Sequence, residues 1–203
     1  MKIICTGRNY LQHIEEFDHQ IPQEPVFFLK PESAMITRNR PFFLPEFSQE
    51  MQYEAEITVK INKVGKYINE KFAHTYYNEI GLGIDFTARD LQRRCMREGN
   101  PWEIAKAFDG SAIIGKFRDK AILPDMSRIR FALYLNSKPV QQGSSGDMIF
   151  GIDRIISYVS QFMTLKMGDI IFTGTPAGVG NVAINDHLTG YLEDEKVLDF
   201  KVK

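Results

Sequence analysis

Apolar side chains recur at two spacings along this chain, and the spacing separates predicted helices from predicted strands. Apolar residues three and four positions apart share one face of an α-helix, whereas alternate positions share one face of a β-strand. The helical spacing begins in residues 8–18, where the apolar face consists of Tyr10, Leu11, Ile14 and Phe17. It returns in residues 69–80, 87–98 and 151–164. Thr87 and Asp90 resemble a capping box, which predicts that the third helix begins at Thr87.

Alternating or continuously apolar runs predict the strands. They cover residues 53–61, 129–135 and 170–172 and the tail, residues 188–202. Residues 25–47 also favour strands and turns, because four prolines interrupt them, namely Pro25, Pro31, Pro41 and Pro45. Helices and strands are interspersed without the regular alternation of a doubly wound parallel sheet. The pattern therefore predicts an α+β fold with a large, irregular β component.

The length fits one folding unit. The chain has 203 residues, and a chain of this size buries roughly 70% of its unfolded surface, so its core needs no disulfide or metal for stability. We find no internal repeat and no flexible linker in the sequence. We therefore expect a single domain over residues 1–203.

The charge balance, the apolar runs and the cysteines limit the classes of partner and the cellular location that we expect. Lys and Arg number 25 against 26 Asp and Glu, which leaves a net charge of −1. A nucleic-acid-binding protein usually has a strongly basic surface, so we expect no nucleic-acid partner. The apolar runs fall short of the roughly 18 residues that cross a bilayer, and the first residues are too short an apolar stretch for a signal peptide. Cys5 and Cys95 lie far apart, which is typical of reduced thiols in a cytoplasmic protein. We therefore expect a cytoplasmic protein with no membrane partner.

Three carboxylates are candidate metal ligands. Glu54 and Glu56 occupy positions i and i+2 of a predicted strand, so their side chains point to the same face. Like charges at this separation repel unless a cation or a proton lies between them. Asp85 follows the small apolar segment 81–84, which predicts a buried strand. An ionised group at the end of such a strand needs a partner.

The chemistry of these ligands indicates which metal they suit. Three carboxylates without a neighbouring His or Cys favour Mg²⁺, Mn²⁺ or Ca²⁺ over Zn²⁺. Each also has an ordinary structural interpretation. Glu54 and Glu56 can lie on a solvated strand face, and Asp85 can cap the helix that follows it. The residues by themselves leave both interpretations open.

His13 and Glu16 form a second candidate pair. They are three positions apart in the first predicted helix and therefore share a face. A carboxylate bound to one imidazole nitrogen raises the basicity of the other nitrogen, as in many general bases. Surface helices also contain such pairs, so the spacing alone does not distinguish a catalytic pair from an exposed one.

Two cationic side chains and one loop complete the candidates. Lys106 lies in a largely apolar segment, where it is either a buried cation for an anionic substrate or a lysine that extends to the surface. Arg89 belongs to a stripe with Arg93 and Arg97 that is typical of a solvated surface, but Arg89 is also close to Asp85. Loop 173–180 lacks a phosphate-binding motif, and its N–H groups and the Thr175 hydroxyl can hold a carboxylate or form a structural turn.

Together these segments resemble the fumarylacetoacetate hydrolase family, in its short single-domain branch of acylpyruvate hydrolases and 2-hydroxyhepta-2,4-diene-1,7-dioate isomerases. The matching motifs occur in family order from about residue 7 to residue 200. They are residues 7–10 with His13 and Glu16, then 28–31, 53–56, 83–92, 102–109 and 168–180.

The resemblance implies a mixed β-sandwich roll, a homodimer and a bound Mg²⁺ or Mn²⁺, with Ca²⁺ able to replace it in vitro. It implies three metal ligands: Glu54, Glu56 and Asp85. It implies that Arg89, Gln92, Lys106 and Thr175 face the substrate or support the groups that do, with Lys106 among the catalytic residues. His13 and Glu16 would then be a catalytic pair on a segment that folds over the site.

The implied substrate is a small 2-oxo acid. From the complete set of metal ligands and water-activating pair we predict hydrolysis of the C–C bond of an acylpyruvate-type 2,4-dioxo acid. Oxaloacetate decarboxylation and isomerisation of 2-hydroxyhepta-2,4-diene-1,7-dioate are the alternatives, because the same site supports all of these reactions. A catalytically silent protein that binds a metal or metabolite is the alternative outside enzymes.

Overall fold

The computed structural model describes residues 1–16 and 20–203. In this part of the chain the strands are β1 (Ile3–Gly7), β2 (Val26–Lys30), β3 (Met35–Ile36), β4 (Met51–Tyr53), β5 (Ala55–Ile61), β6 (Tyr77–Asp85), β7 (Thr87–Ala88), β8 (Ala112–Ile114), β9 (Arg118–Asp119), β10 (Arg130–Leu135), β11 (Lys138–Ser144), β12 (Ile170–Phe172), β13 (Gly180–Asn181), β14 (His187–Leu192) and β15 (Glu195–Lys201). The α-helices are α1 (Leu11–Glu16), α2 (Glu70–Ala73), α3 (Arg89–Glu98), α4 (Glu103–Lys106) and α5 (Ile152–Phe162). The mixture confirms the predicted α+β class.

The strands form three sheets. The largest has the order β2-β1-β12-β5-β6-β8-β3, with β9 also paired to β6. A four-stranded sheet has the order β11-β10-β14-β15, and a three-stranded sheet the order β13-β4-β7. Within the largest sheet β1 is parallel to β12 and β3 is parallel to β8, whereas β5 and β6 form a long antiparallel pair.

One face of the largest sheet forms the main core. Successive side chains of a strand point to opposite sides of its sheet. On this face, Ile57 of β5 and Leu82 of β6 belong to a hydrophobic cluster that also contains Leu133 and Leu188 of the four-stranded sheet and Ile155 of α5. The two sheets therefore pack as a sandwich, and burial of these apolar side chains stabilises it.

The opposite face combines a smaller core with charged groups. Its apolar part includes Ile3, Cys5, Ile170 and Phe172. Glu56 lies opposite Gly83 in the β5–β6 pair, and Asp85 is two residues beyond Gly83, so both carboxylates are on this face. Lys30 lies opposite Ile3 and shares the face. A Cβ at Gly83 would approach the Phe172 ring to 2.6 Å, so only glycine fits here.

Two helix predictions are wrong in part. The segment 69–80 is helical only to Ala73, followed by one 3-10 turn at His74–Tyr76, and Tyr77 already begins β6. Backbone pairing of β6 in the centre of the sheet outweighs the local helical spacing. Thr87 does not cap α3, because it belongs to β7 and Ala88 precedes the helix. Its hydroxyl instead accepts a hydrogen bond from Lys106.

The first predicted helix and the two cysteines can be located in the structure. The first helix begins at Leu11 as α1, and Phe17 of its predicted apolar face lies outside the described residues. Cys5 and Cys95 are both free thiols and both buried. Among the described helices, none has the length and apolar character required to cross a membrane.

Candidate active site

Glu54, Glu56 and Asp85 converge in the folded chain. An oxygen from each carboxylate lies within 4.8 Å of the others, and all three side chains are buried. Glu54 occupies the one-residue break between β4 and β5, Glu56 is in β5, and Asp85 ends β6. The Asp85 N–H donates to the Glu54 carbonyl oxygen at 2.8 Å, which holds the break next to the end of β6.

Lys106 connects two of the carboxylates. Lys106 is the last residue of α4. Its ammonium nitrogen Nζ lies 2.7 Å from Oε2 of Glu54 and 3.0 Å from Oδ2 of Asp85. It also donates to Oγ1 of Thr87 at 2.5 Å. The side chain is 3% exposed. Of the two interpretations of Lys106, the structure therefore supports the buried cation.

Arg89 departs from the stripe that its spacing suggested. It is buried, and it donates to a carboxylate oxygen of Glu54. Its Nε donates to Gln52 at 2.7 Å and another nitrogen donates to Gln92 at 2.5 Å. Arg93, one helical turn later, pairs with Glu50 at the surface. Only the first arginine of the stripe therefore belongs to the site.

Lys30 is a charged site residue that the sequence reasoning missed. Its Nζ lies 2.8 Å from Oδ1 of Asp85 and donates to Oγ of Ser111 at 2.9 Å. It also donates to the Lys106 carbonyl oxygen. The available signal was a lysine at the end of the apolar run 26–29, directly before Pro31, because a lysine is rarely buried unless it is paired with an opposite charge.

The buried charges shift the pKa values of the two glutamates in opposite directions. Burial would raise the pKa of Glu54, but the Lys106 and Arg89 charges outweigh it and hold that pKa well below its usual range. Burial, followed by repulsion from Asp85 and Glu54, raises the pKa of Glu56 well above its usual range. Burial also acts to lower the pKa of Lys106, yet Asp85 and Glu54 leave it raised, so the ammonium keeps its charge.

The carboxylate group fits a divalent cation. Oδ1 of Asp85 faces the Lys30 ammonium but has no hydrogen bond of regular geometry to any described residue. Oε2 of Glu56 accepts the Gly174 N–H at 2.6 Å, and Gly174 has φ +95°, a conformation that side chains disfavour. Three buried carboxylates with lone pairs to spare match the oxygen ligands of Mg²⁺ or Mn²⁺. All three predicted ligands are therefore in place to hold such an ion.

Helix α1 brings His13 to the same cavity. The preceding Asn9 fixes this segment, because its side-chain nitrogen donates to the carbonyl oxygens of Thr173 at 2.7 Å and Phe150 at 2.9 Å. The Nδ1 atom of His13 lies 3.5 Å from Oε2 of Glu16. Glu16 also accepts the Gly178 N–H at 3.3 Å. The predicted pair is thus formed across one helical turn, next to the loop that follows β12.

The His13 imidazole is nine-tenths buried. Burial is the main reason that its pKa is lowered from the ordinary 6.5, an effect that the Glu54 and Glu16 charges only partly offset. At neutral pH the ring is therefore uncharged and has a nitrogen able to accept a proton. This is the protonation state that a general base requires.

A cavity of about 40 Å³ lies between these groups. Its walls comprise Thr6, Gly7, Arg8, His13, Phe28, Glu54, Asp85, Arg89, Gln92, Met96, Trp102 and Lys106. A volume of this size holds an ion and very few water molecules. The aromatic walls Phe28 and Trp102 were missed as site residues, since apolar side chains in a sequence look the same whether they fill a core or line a site.

Thr175 is buried near the triad but engages protein groups. Its hydroxyl donates to the Ala55 carbonyl oxygen at 2.9 Å and accepts from the Gln141 side chain at 2.9 Å. Gln141 also accepts the Ala55 N–H at 2.9 Å. These bonds hold the β12 loop against β5, beside the Glu56 carboxylate. A direct contact between Thr175 and substrate stays a prediction.

The fold and the site together define a β-sandwich with three buried carboxylates that could hold a divalent ion and an imidazole beside them. The model of the fumarylacetoacetate (FAA) hydrolase C-terminal domain matches residues 2–203. The chain belongs to the fumarylacetoacetate hydrolase family, as its motifs predict, and the predicted fold type is confirmed.

Relatives in this family have several activities. The mitochondrial oxaloacetate tautomerase of Bos taurus is 39% identical over 99% of this chain and 91% of its own length. The Escherichia coli oxaloacetate tautomerase is 38% identical over 93% of this chain and 86% of its own. The fumarylpyruvate hydrolase of Pseudomonas aeruginosa, solved with Mn²⁺ and pyruvate, superposes with a TM-score of 0.94 at 32% identity and covers 100% of this chain and 89% of its own.

Proposed function

We propose that this protein is a divalent-metal-dependent enzyme that interconverts the keto and enol forms of oxaloacetate or a similar 2-oxo dicarboxylate. The names of its full-length relatives support an oxaloacetate tautomerase, and the buried site supports enolate chemistry. This proposal gives a proton-transfer reaction priority over the C–C hydrolysis predicted from the sequence.

The balance of buried charge is the observation that carries the proposal. Three carboxylates (Glu54, Glu56 and Asp85) are matched by three cations (Lys30, Arg89 and Lys106), all buried. A divalent ion therefore adds two uncompensated positive charges to a poorly solvated site, which is costly. A substrate dianion such as oxaloacetate neutralises both. An acylpyruvate with a single carboxylate leaves one charge uncompensated.

Each polar group has a role in the proposed reaction. Glu54, Glu56 and Asp85 would hold Mg²⁺ or Mn²⁺, which when bound supplies a Lewis acid that stabilises an enolate. Arg89 and Gln92 orient a substrate carboxylate. The neutral His13 accepts the proton from C3 and returns it to the enol oxygen, and Glu16 stabilises the ring while it carries the extra proton. Lys106 pairs with Glu54 and Asp85, and its charge helps to keep Glu54 ionised.

Hydrolysis of a 2,4-dioxo acid is the second candidate. The His13–Glu16 pair favours it, because such a pair can also remove a proton from an attacking water. The Pseudomonas aeruginosa hydrolase shares the fold across the whole of this chain. Tautomerisation needs no water in the site, and the small cavity fits that requirement better.

The test follows all three reactions on one metal-loaded preparation. Oxaloacetate enriched in its enol form is added to the Mn²⁺-loaded protein, and loss of the enol absorbance is timed. Pyruvate formed by decarboxylation is measured in the same sample, and acetylpyruvate is tested separately for release of acetate. We expect fast enol loss without pyruvate or acetate.

The other possible results of this assay either contradict the proposal or identify a different reaction. Enol loss at the spontaneous rate contradicts the proposal. Release of acetate from acetylpyruvate, with ¹⁸O from labelled water in the acetate, would establish hydrolysis instead, and rapid pyruvate formation from oxaloacetate would establish decarboxylation. A protein that binds Mn²⁺ and turns over none of these substrates would be the catalytically silent alternative. The predicted homodimer is tested separately by sedimentation of the same preparation.

A further inference from the structure

Two pockets of very different size share one wall. The site cavity of about 40 Å³ and an outer pocket of about 400 Å³ are both lined by Phe28, Trp102 and Lys106. The rest of the outer pocket is formed by Val26, Phe27, Leu29, Gly99, Asn100, Pro101 and Glu103. The outer pocket is therefore a largely apolar space that lies directly against the site.

The shared wall is aromatic. The rings of Phe28 and Trp102 are 6.0 Å apart between centroids and inclined at 59°. The Lys106 ammonium lies 5.3 Å from the centre of the Phe28 ring, a cation–π contact that fixes this ring beside the site. Both aromatic side chains are only partly buried, so each can be shortened with less disturbance than a core residue.

We propose that Phe28 and Trp102 form a partition that limits the length of the substrate's acyl chain, and that the outer pocket is a latent subsite for such a chain. The proposal rests on the proposed function for its 2-oxo acid chemistry. In the intact protein the partition confines the substrate to short 2-oxo acids. With the partition shortened, a longer chain extends from the site into the apolar space.

Charge determines which chain the outer pocket accepts. Its cation, Lys106, is already engaged by Glu54, Asp85 and Thr87. The other ionisable residue of its wall, Glu103, would repel a second carboxylate. The latent subsite therefore suits an uncharged alkyl or acyl chain rather than the far end of a dicarboxylate.

The test uses N-alkyl oxamates, which carry the adjacent carboxylate and carbonyl of a 2-oxo acid but are not turned over. Methyl, propyl and pentyl oxamates are titrated calorimetrically into the Mn²⁺-loaded protein. In the unmodified protein we expect affinity to fall about tenfold or more from methyl to pentyl, since steric exclusion of a few methylenes gives discrimination of this order. In Trp102→Ala this fall should disappear, with pentyl oxamate binding about tenfold tighter than before.

Two further variants keep the result interpretable. Phe28→Leu shortens the other half of the partition and should weaken the chain-length discrimination in the same direction, even if Trp102→Ala folds poorly. Leu29→Ala is the matched control, because Leu29 is on the same strand and lines only the outer pocket. It should leave the discrimination unchanged.

Equal affinities for the three oxamates in the unmodified protein would overturn the partition. So would an undiminished fall in affinity in both Trp102→Ala and Phe28→Leu. Failure of the proposed function has a different signature: the methyl oxamate binds and the length dependence is present, but the enol of oxaloacetate decays at its spontaneous rate.

Discussion

The ammonium nitrogen of Lys30 lies 2.8 Å from Oδ1 of Asp85, and both side chains are almost completely buried. Lys30 comes from the edge strand β2 and Asp85 from the end of β6, with three strands between them in the sheet order. The pair therefore extends across the face of the sheet and places the Lys30 side chain beside the three carboxylates that could hold a metal ion. Removal of Lys30 leaves Asp85 with Lys106 as its remaining buried cation, in a place where water solvates charge poorly.

Replacement of this lysine should destabilise the metal-free protein. For Lys30→Met we expect the free energy of unfolding to fall by about 1–3 kcal/mol, because Oδ1 of Asp85 loses its cation while Oδ2 keeps Lys106. Urea denaturation measures it. Lys60→Met is the control, because Lys60 pairs with Glu79 at the surface of the same sheet and should change stability by under about 1 kcal/mol. Equal effects of the two substitutions would contradict the special role of Lys30.

Glu56→Gln should separate stability from metal binding. The substitution removes a carboxylate that burial and two like charges disfavour, so the metal-free protein should melt at the same temperature or higher. Mn²⁺ affinity, measured by calorimetry, should be lost because a ligand is missing. Glu79→Gln on the neighbouring strand is the control and should bind Mn²⁺ normally. A variant that binds Mn²⁺ as tightly as the parent would exclude Glu56 from the ligand set.

The raised pKa of Glu56 also gives the metal affinity a pH dependence. Because the folded pKa lies above the ordinary 4.5, the carboxyl remains protonated over a range where a free glutamate is ionised, and the metal must displace that proton. Mn²⁺ affinity should therefore rise with pH above 4.5 and level off beyond the folded pKa. Calorimetry in buffers of different ionisation enthalpy should show proton release on binding. Affinity that is flat with pH, without proton release, would be the contrary result.

The same shift affects the stability of the metal-free protein. Below the pKa that Glu56 has in the unfolded chain, the carboxyl is protonated in both states and does not change the free energy of unfolding. As the pH rises from that value to the folded pKa, the free energy of unfolding falls, because only the unfolded chain can release the proton. Glu54, with a lowered pKa, acts in the opposite sense: its contribution is present above 4.5 and is lost as pH falls below it. The difference in melting temperature between the parent and Glu56→Gln should therefore widen as pH rises above 4.5. A constant difference would mean that Glu56 titrates normally.

Loss of the imidazole should impair chemistry and spare the metal. His13→Ala should lower kcat by roughly 10²- to 10⁴-fold, the usual effect of removing a general base, with unchanged Mn²⁺ affinity. Glu16→Ala should act in the same direction, and the double variant should lose less than the product of the two losses, since the residues act as a unit. His187→Ala is a matched control, because this histidine pairs with Asp199 at the surface. Multiplicative losses in the double variant would contradict a working pair.

The dependence of kcat/KM on pH should reflect the protonation of His13. Because burial lowers the pKa of His13 below 6.5, the base is neutral at pH 7 and gains a proton only in more acidic solution. The acidic limb of kcat/KM should therefore lie below pH 6.5. A limb above this value would assign it to another group.

Sequence patterns predicted the parts of this protein that depend on neighbouring residues. The period of two in 53–61 placed Glu54 and Glu56 together, and β5 retains that arrangement although Glu54 itself sits in a break between strands. The apolar run 170–172 is β12 with the same limits. The family motifs correctly indicated the family and the fold type. The helix predicted from local spacing was wrong from Tyr77 onward, because this part of the segment pairs with its neighbours in the sheet as β6.

Only the tertiary structure decided which charges meet. Lys30, Asp85 and Lys106 come from β2, β6 and α4, and Glu54 from the break between β4 and β5. The order of the strands and the packing of α4 against them bring these four side chains within hydrogen-bonding distance. The same holds for Phe28 and Trp102, whose contact spans residues remote in sequence. A residue's type and its spacing from other residues determine which interactions it can make, and both can be read from the sequence. Its burial, which decides whether a charge must be paired and whether an aromatic ring closes a site, is a property of the whole packed chain.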